Sequence, residues 1–353
     1  MGSVEILLTT HNGGRYLAPL LDSLFEQSCQ DFSILAADDA SSDSTLSILT
    51  NYQHRYPDRI RLFAFREGPV GVCANFSRLM EMANADYVML CDQDDVWLPN
   101  KVALSLERVR ANEAANGVAT PLLVHTDSVV TSKDHTPLSA SFLRYANLCP
   151  ARDSLACLLV QNVVSGFTIL MNRALYERAR PIPQEAVMHD WWCALVTAVI
   201  GKIVYVDTAT ALYRQHGDNT VGAKAWNLSF VLRRARIAIA SREFEANMSK
   251  KIVQAEALLA RYERSMSPRF HDVTTTMTQL WGLRPFERFW RLRRVGLTLN
   301  GTLRNIALFI TVTFHRTGAA RRGNEFSPVR PHRTGLRPQA EVEDRGADCG
   351  RGN

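Results

Sequence analysis

At 353 residues the chain has room for one large domain and an appendage, and its 46% hydrophobic content is that of an ordinary globular protein, neither disordered throughout nor an integral membrane bundle. Lys and Arg number 41 against 35 Asp and Glu, and a formal charge of +6 is too small to argue for a nucleic-acid partner.

Met1-Gly2-Ser3-Val4-Glu5 carries no basic segment and no cleavage site, so the expected location is the cytoplasm. Seven cysteines with no Cys-x-x-Cys pair or zinc-ligand spacing fit a reducing compartment, and Cys91 and Cys193, in apolar runs, are expected as small buried residues. Val4 to Thr10 reads as a strand stopped by His11-Asn12-Gly13-Gly14. Tyr16, Leu17, Leu20, Leu21, Leu24 and Phe25 then paint one face of a helix. Phe32 to Ala37 is a second strand ending in Asp38-Asp39, and Ser41-Ser42-Asp43-Ser44-Thr45 supplies helix-capping residues before the next helix. Ile60 to Phe65, a helix from Asn75 to Ala85 and the apolar run Tyr87 to Cys91 continue the alternation. Strands alternating with helices imply an α/β fold, a mostly parallel sheet whose ligands gather at the carboxyl ends of the strands.

The run Tyr87 to Cys91 ends in Asp92-Gln93-Asp94-Asp95. A buried strand cannot keep unpaired acids inside the core, so they belong at its exit, where they repel one another unless a cation intervenes. Hard oxygen ligands of this kind suit Mg2+ or Mn2+, and a metal bridging acids to a diphosphate is the obvious reading. Beyond a helix over Val102 to Val109 come strands at Leu122 to Asp127, at Val163 to Met171 with Ser165-Gly166 interrupting, and at Ile203 to Val206. Met188-His189-Asp190-Trp191-Trp192 opens an apolar helix, and Leu212 to Thr220 is read as a polar loop rich in functional groups. From about Trp226 the chain becomes basic and amphipathic, with Arg233-Arg234, Arg293-Arg294 and Arg321-Arg322. Ile306 to Phe314 falls short of the roughly 20 apolar residues of a spanning helix, leaving a helix in the membrane interface or one packed on the protein. After Thr317 an Arg/Gly/Pro-rich tail is expected to be disordered.

The succession Thr9-Thr10-His11-Asn12-Gly13, Gln27, Asp38 to Thr45, Asp92 to Trp97 and His189 to Trp192 resembles the family 2 inverting glycosyltransferases of the GT-A (Rossmann-like) fold. Its rhamnosyltransferase-like bacterial branch is also similar at Tyr213 to Asn219. The resemblance implies a glycosyltransferase domain over 1–222, followed by a basic helical extension over 223–316 and the tail over 317–353. It implies a nucleoside-diphosphate sugar donor, dTDP- or UDP-linked with rhamnose the leading guess, and a glycan or lipid-linked acceptor in surface polysaccharide assembly. The place of work is then the cytoplasm or the inner face of the cell membrane, with peripheral membrane contact. The Gln-x-x-Arg-Trp motif of processive synthases is absent, which favours transfer of a single sugar.

Carried onto individual positions, the resemblance puts Thr9 and the backbone at His11 in the nucleotide pocket and makes Asp39 the acceptor for the pyrimidine N–H. Asp38 either joins the donor site or caps the Ser41 turn, Asn75 either binds donor or caps its helix, and Arg66 either reaches a phosphate or is a surface charge. Asp94 is the first choice as direct metal ligand, with Asp92 nearer the ribose or sugar and Asp95 as helper or turn residue. Asp190 is the candidate general base that takes the acceptor hydroxyl proton, and an ordinary helix cap is its alternative; it follows His189 where many family members carry Glu. Trp191 and Trp192 offer faces for sugar stacking, with core packing expected for at least one, and Ser165-Gly166 lines the acceptor side. Arg214 and His216 approach the diphosphate from a closing loop. Two rival readings are a sugar nucleotidyltransferase and a non-catalytic nucleotide-binding module at the membrane.

Overall fold

The computed structural model describes residues 2–64, 68–134, 136–215 and 242–314, all within one compact unit, Met1–His315. Arg66 and His216 lie outside the described residues, as do the glycines of the expected closing loop. The opening alternation is as expected: β1 (Val4–Thr10), α1 (Gly14–Phe25), β2 (Phe32–Asp38), α2 (Thr45–Arg55), β3 (Ile60–Ala64), α3 (Val72–Met82) and β4 (Tyr87–Cys91). Next come β5 (Val96–Trp97), α4 (Lys101–Asn116), β6 (Leu122–Ser132), β7 (Pro137–Ser139), two single-turn helices α5 (Phe142–Tyr145) and α6 (Leu155–Leu158), β8 (Ile169–Asn172), α7 (Arg173–Ala179), α8 (His189–Ile200) and β9 (Lys202–Gln215). Four further helices follow: α9 (Arg242–Tyr262), α10 (Pro268–Thr278), α11 (Pro285–Val295) and α12 (Thr302–Phe314).

The strands form one sheet in the order β3-β2-β1-β4-β8-β6-β9-β5, with β7 on β6. Pairing is parallel from β3 to β4, antiparallel on both sides of β8, and parallel again between β6 and β9. The parallel half is the expected α/β core, and the sheet as a whole is mixed. The chain walks outward from β1 to β3 and returns on the other side of β1 as β4, so a crevice opens at the carboxyl ends of β1 and β4.

β1 is buried on both faces, and its alternation divides the interior in two. Ile6 and Leu8 face a core built from Leu17, Leu20, Leu21 and Leu24 of α1 and from Val102 and Leu106 of α4. Leu7 faces the other core, with Phe76 and Leu79 of α3, Trp192 and Leu195 of α8, and Leu258, Met277, Leu292 and Val312 of the last four helices. Cys91 and Cys193 are buried as expected.

Two elements differ from expectation in ways that matter for the site. The segment around Gly166 is a 3-10 turn over Gly166–Thr168, and strand begins only at Ile169. The stretch Leu212 to Gln215 is the end of a long β9. Its Leu212 and Ala211 pair with Val96 and Trp97 of β5, and Leu212 to Gln215 also pair with β6. A local reading of polar residues as loop misses this, because the pairing partners lie far away in sequence.

Trp192 is completely buried, and its indole Nε1 donates to the Ala179 carbonyl at 2.9 Å. Trp192→Ala should lower unfolding free energy by about 3–5 kcal/mol in urea titrations.

Candidate active site

Because β1 runs parallel to both β2 and β4, their carboxyl ends leave the sheet side by side. Asp39 N donates to the Thr10 carbonyl at 2.8 Å, and Leu8 is level with Cys91, which puts Asp39 and Asp92 on opposite flanks of the β1 exit. Asp38 turns inward: Thr10 Oγ1 donates to its Oδ1 at 2.9 Å, Ser41 Oγ to the same oxygen at 2.6 Å, and Ser41 N to Oδ2 at 3.0 Å. Of its two expected roles, the side chain fills that of turn cap. The capping run laces two loops together: Asn12 N donates to Ser41 Oγ at 2.8 Å, Gly13 N to Thr45 Oγ1 at 2.8 Å and Gly14 N to Asp43 Oδ2 at 3.0 Å.

Asp39 is 3% exposed, and its two carboxylate oxygens each accept a backbone N–H, from Val70 and Gly71, at 2.8 Å. A carboxylate has lone pairs to spare after two bonds, so a ligand donor can still be accepted. The His11 ring is committed: Nδ1 lies 2.7 Å from the Asp39 carbonyl oxygen, which requires the proton on Nδ1. Thr9 is buried at the end of β1.

Gln93, between the acids, makes a reciprocal pair with the β1 exit: His11 N donates to its Oε1 at 2.8 Å, and its Nε2 donates to the His11 carbonyl at 2.9 Å. The amide lies where a side chain at position 13 would be, since a Cβ on Gly13 would come within 2.2 Å of Gln93 Oε1. The sequence reading gave Gln93 no role; the glycine pair beside a strand end was the signal that something approaches closely there.

The acids crowd one another. Asp92 is pushed up to about 8, first by burial and then by the negative charges of Asp94 and Asp190, with Lys101 pulling the other way. Burial, then Asp94 and Asp92, drive Asp95 well above the usual carboxylate range. Asp95 is 1% exposed, and its Oδ1 accepts from Arg214 N at 3.4 Å. Below them Lys101 is entirely buried, its Nζ 3.4 Å from Thr210 Oγ1 and 4.6 Å from the Trp97 ring centroid. Burial pulls the lysine down to about 8, while Cys91, Asp95 and Asp92 favour its charge. Sequence gave no sign of Lys101, because a lysine opening a helix after Pro99-Asn100 looks like any surface charge. Gln27 anchors the same turn, accepting from Val102 N at 3.1 Å and donating to the Leu98 carbonyl at 2.8 Å.

β9 brings Arg214 to this cluster. Its guanidinium lies 4.7 Å from the Tyr16 ring centroid, and burial holds it below its usual pKa, against Tyr16, Asp95 and Asp94, which favour its charge. The sequence puts Arg214 on a loop closing over the diphosphate; the structure places it on a strand beside Asp94 and Asp95.

Asp190 arrives at the start of α8, where its Oδ2 accepts from Gly166 N at 3.0 Å and its Oδ1 from Trp191 N at 2.5 Å. Burial pushes it up to about 6 despite those donors, and it is near enough to Asp92 to raise that acid. Gly166 is required here, since a Cβ would meet His189 Nε2 at 2.7 Å. His189 is buried, stacked on Phe76 at 4.0 Å, and held neutral by desolvation, which lowers it to about 3. Asn75 is not a cap: α3 starts at Val72, and Asn75 sits a turn inside with its Oδ1 buried and unpartnered among the described residues.

Trp192 is a correction. Enclosed in the core, it cannot form an acceptor wall, because adjacent helix positions point in different directions. Trp191 stays half-buried, donating from Nε1 to the Leu158 carbonyl at 2.6 Å, with Lys251 Nζ 5.6 Å from its ring centroid. Ser165 is partly exposed beside Gly166. Among the described residues, no group of three or more His, Cys, Asp or Glu is arranged to hold a metal alone.

A doubly wound half-sheet with an acidic rim at its switch point defines an α/β domain whose crevice lies at the carboxyl ends of β1 and β4. Residues 5–178 match Glycosyl transferase family 2. A dTDP-rhamnosyl transferase RfbG of Shigella flexneri is 27% identical over 258 residues, 71% of this chain and 84% of that protein. A GalNAc(5)-diNAcBac-PP-undecaprenol beta-1,3-glucosyltransferase of Campylobacter jejuni is 32% identical over 116 residues, 34% of this chain and 36% of its own length. Among solved structures, S. aureus TarS 1-349 with UDP-GlcNAc gives a TM-score of 0.49 at 14% identity, covering 91% of this chain and 93% of that one.

Two outcomes follow from the geometry. Asp92 is protonated more readily folded than unfolded, so its contribution to stability is present below about pH 4 and is lost as pH rises through about 8. In chelator, Asp92→Asn should therefore exceed the wild type in stability by roughly 2 kcal/mol at pH 9 and match it near pH 4, measured by thermal melts. Gln93→Ala should speed amide exchange at His11 about five- to tenfold, the equivalent of one hydrogen bond, without altering exchange in the β8 core.

Proposed function

We propose that the chain is an inverting glycosyltransferase that moves one sugar from a nucleoside diphosphate to a glycan or lipid-linked acceptor in polysaccharide synthesis. The observation that carries this is the convergence of Asp190, almost a hundred residues downstream of the Asp92 motif, onto the same rim, held by the Gly166 N–H with a pKa near 6. The relative named as a dTDP-rhamnosyl transferase supports dTDP-rhamnose as donor, and the relative named for an undecaprenol diphosphate substrate supports a lipid-linked acceptor.

On this reading the nucleotide lies along Thr9 and Asp39, and the acceptor hydroxyl approaches from the Ser165–Gly166 side. Asp190 takes the hydroxyl proton as the oxygen attacks the anomeric carbon opposite the departing diphosphate, giving inversion in one displacement. A pKa near 6 leaves the carboxylate ionised at neutral pH yet more basic than an ordinary aspartate. Arg214 offers positive charge to the diphosphate beside Asp94.

The donor set fits a divalent cation shared with the substrate rather than a closed protein site. Asp94 and Asp92 are partly exposed and under mutual repulsion, whereas Asp95 is sealed against the Arg214 backbone. Mg2+ or Mn2+ held by Asp94 and Asp92 would supply charge stabilisation to the leaving diphosphate. Asp95 then acts as a structural acid.

The test is a panel of nucleoside-diphosphate sugars, with nucleoside diphosphate release measured with and without acceptor. Transfer should be greatest with a dTDP or UDP sugar, and Asp190→Asn should cut kcat about 10²–10⁴-fold while leaving donor binding intact. Activity should fall as pH drops through about 6, where the Asp190 base becomes protonated. Wild-type turnover by the Asn variant would remove Asp190 from the chemistry.

A further inference from the structure

Two stripes of apolar side chains face outward from the last two helices. On α11, Phe286 and Trp290 are 70% and 65% exposed, and Arg293 extends the same i, i+4, i+7 row. On α12, Leu303, Ile306 and Ile310 are 49%, 49% and 41% exposed at i, i+3, i+7, while Leu308 and Val312 on the opposite side are buried. The helices pack through Phe289 and Phe309, whose ring centroids are 5.3 Å apart. Between them lies an open groove of about 790 Å³, lined by Phe289, Leu299, Ile306 and Phe309 with Arg152 and Arg293.

Arginine dominates the charge around this face. Arg284, Arg293 and Arg294 are exposed, and the one acid of α11, Glu287, is engaged by Arg291 at 3.7 Å. The other arginines of the region are spoken for: Arg288 donates to the Trp281 carbonyl at 3.2 Å, and Arg304 to the Asn147 carbonyl at 2.8 Å. Exposed Trp and Phe beside exposed Arg is the pattern that suits the boundary between acyl chains and anionic headgroups. No described helix is long and apolar enough to cross a membrane.

We infer that the α11–α12 face docks the protein on an anionic phospholipid surface. Phe286, Trp290, Ile306 and Ile310 enter the headgroup boundary, and Arg284, Arg293 and Arg294 contact lipid phosphates. This deepens the reading of a lipid-linked acceptor and rests on it for its purpose, although docking itself is measured without donor or acceptor.

The full chain is floated with vesicles of phosphatidylcholine alone or mixed with phosphatidylglycerol, at low and high salt. Bound protein should rise at least about tenfold with phosphatidylglycerol and fall with salt, because phosphate contacts are screened. Phe286→Ser with Trp290→Ser, and separately Arg293→Glu with Arg294→Glu, should each lower binding about tenfold or more; both pairs are exposed, so melting temperature should be unchanged. Arg108→Glu, exposed on α4 across the sheet, should bind like the wild type. A wild type that ignores phosphatidylglycerol, or face variants that bind as well as the wild type, would overturn the inference. So would loss of self-association in the Phe286/Trp290 variant with vesicle binding intact, which would make the face an interface between copies. Nucleoside diphosphate release from soluble donor should persist in every one of these variants, which separates failure of docking from failure of the Asp190 chemistry.

Discussion

Carboxylates gathered where buried strands leave the sheet set the constraint to which the rest of the domain responds. Asp92 raises Asp95, Asp94 raises both, and Asp190 adds to the field on Asp92. Removing charge from water costs several kcal/mol per ion unless it is paired, so this arrangement persists only with internal support. The support is visible: Lys101 beneath the cluster, Arg214 beside it, and backbone N–H groups of Arg214 and Gly166 aimed at Asp95 and Asp190. The acids thus sit together only because these groups hold them from beneath and beside.

A second dependence links the two ends of the site. The Asp39 carboxylate grips the N–H groups of Val70 and Gly71, and α3 begins at the next residue, Val72. One residue further, burial followed by the nearby Asp190 charge pushes the Cys73 thiol up to about 11. Phe76, a turn along, stacks on His189. The residue assigned to the nucleotide base and the residue assigned to proton transfer are thus joined through the first turn of one helix. A shift in the Asp39 loop has a short, packed route to the Asp190 backbone.

Much of this was legible in the sequence, and the divide follows the range of the forces. Strand and helix alternation through β4, the strand-end placement of the acids and the burial of Cys91 depend on local pattern. The role of Asp38 was open because turn caps and ligand-binding acids use the same residue in the same place. Arg214 looked like a loop residue because its strand exists only through pairing with β5 and β6, and β5 is two residues long. Trp192 and Trp191 are adjacent and chemically alike, so only the packing of α8 shows which one faces the core. Lys101 could not be found at all: its burial comes from Trp97 and Thr210, and Thr210 is more than a hundred residues away.

The C-terminal helices, which the family resemblance did not reach, are tied to the segment that holds Asp190. Lys251 donates to the Val160 carbonyl at 2.7 Å, and Gln254 accepts from Val187 N at 2.8 Å, three residues before Asp190. Asn300 accepts from Cys149 N at 2.8 Å and donates its own N–H to Gln161 Oε1 at 2.7 Å. Arg304 holds the carbonyls of Ala146 and Asn147, both at 2.8 Å. These contacts bracket the segment from 146 to 161 that leads into Ser165–Gly166, whose N–H fixes the Asp190 carboxylate. The extension therefore acts as a brace: the loop that orients Asp190 is held from behind by helices whose outer face meets solvent. Any contact made on that outer face bears on a frame already bonded to the segment that positions Asp190, so on the proposed reading surface docking and acceptor approach share one support.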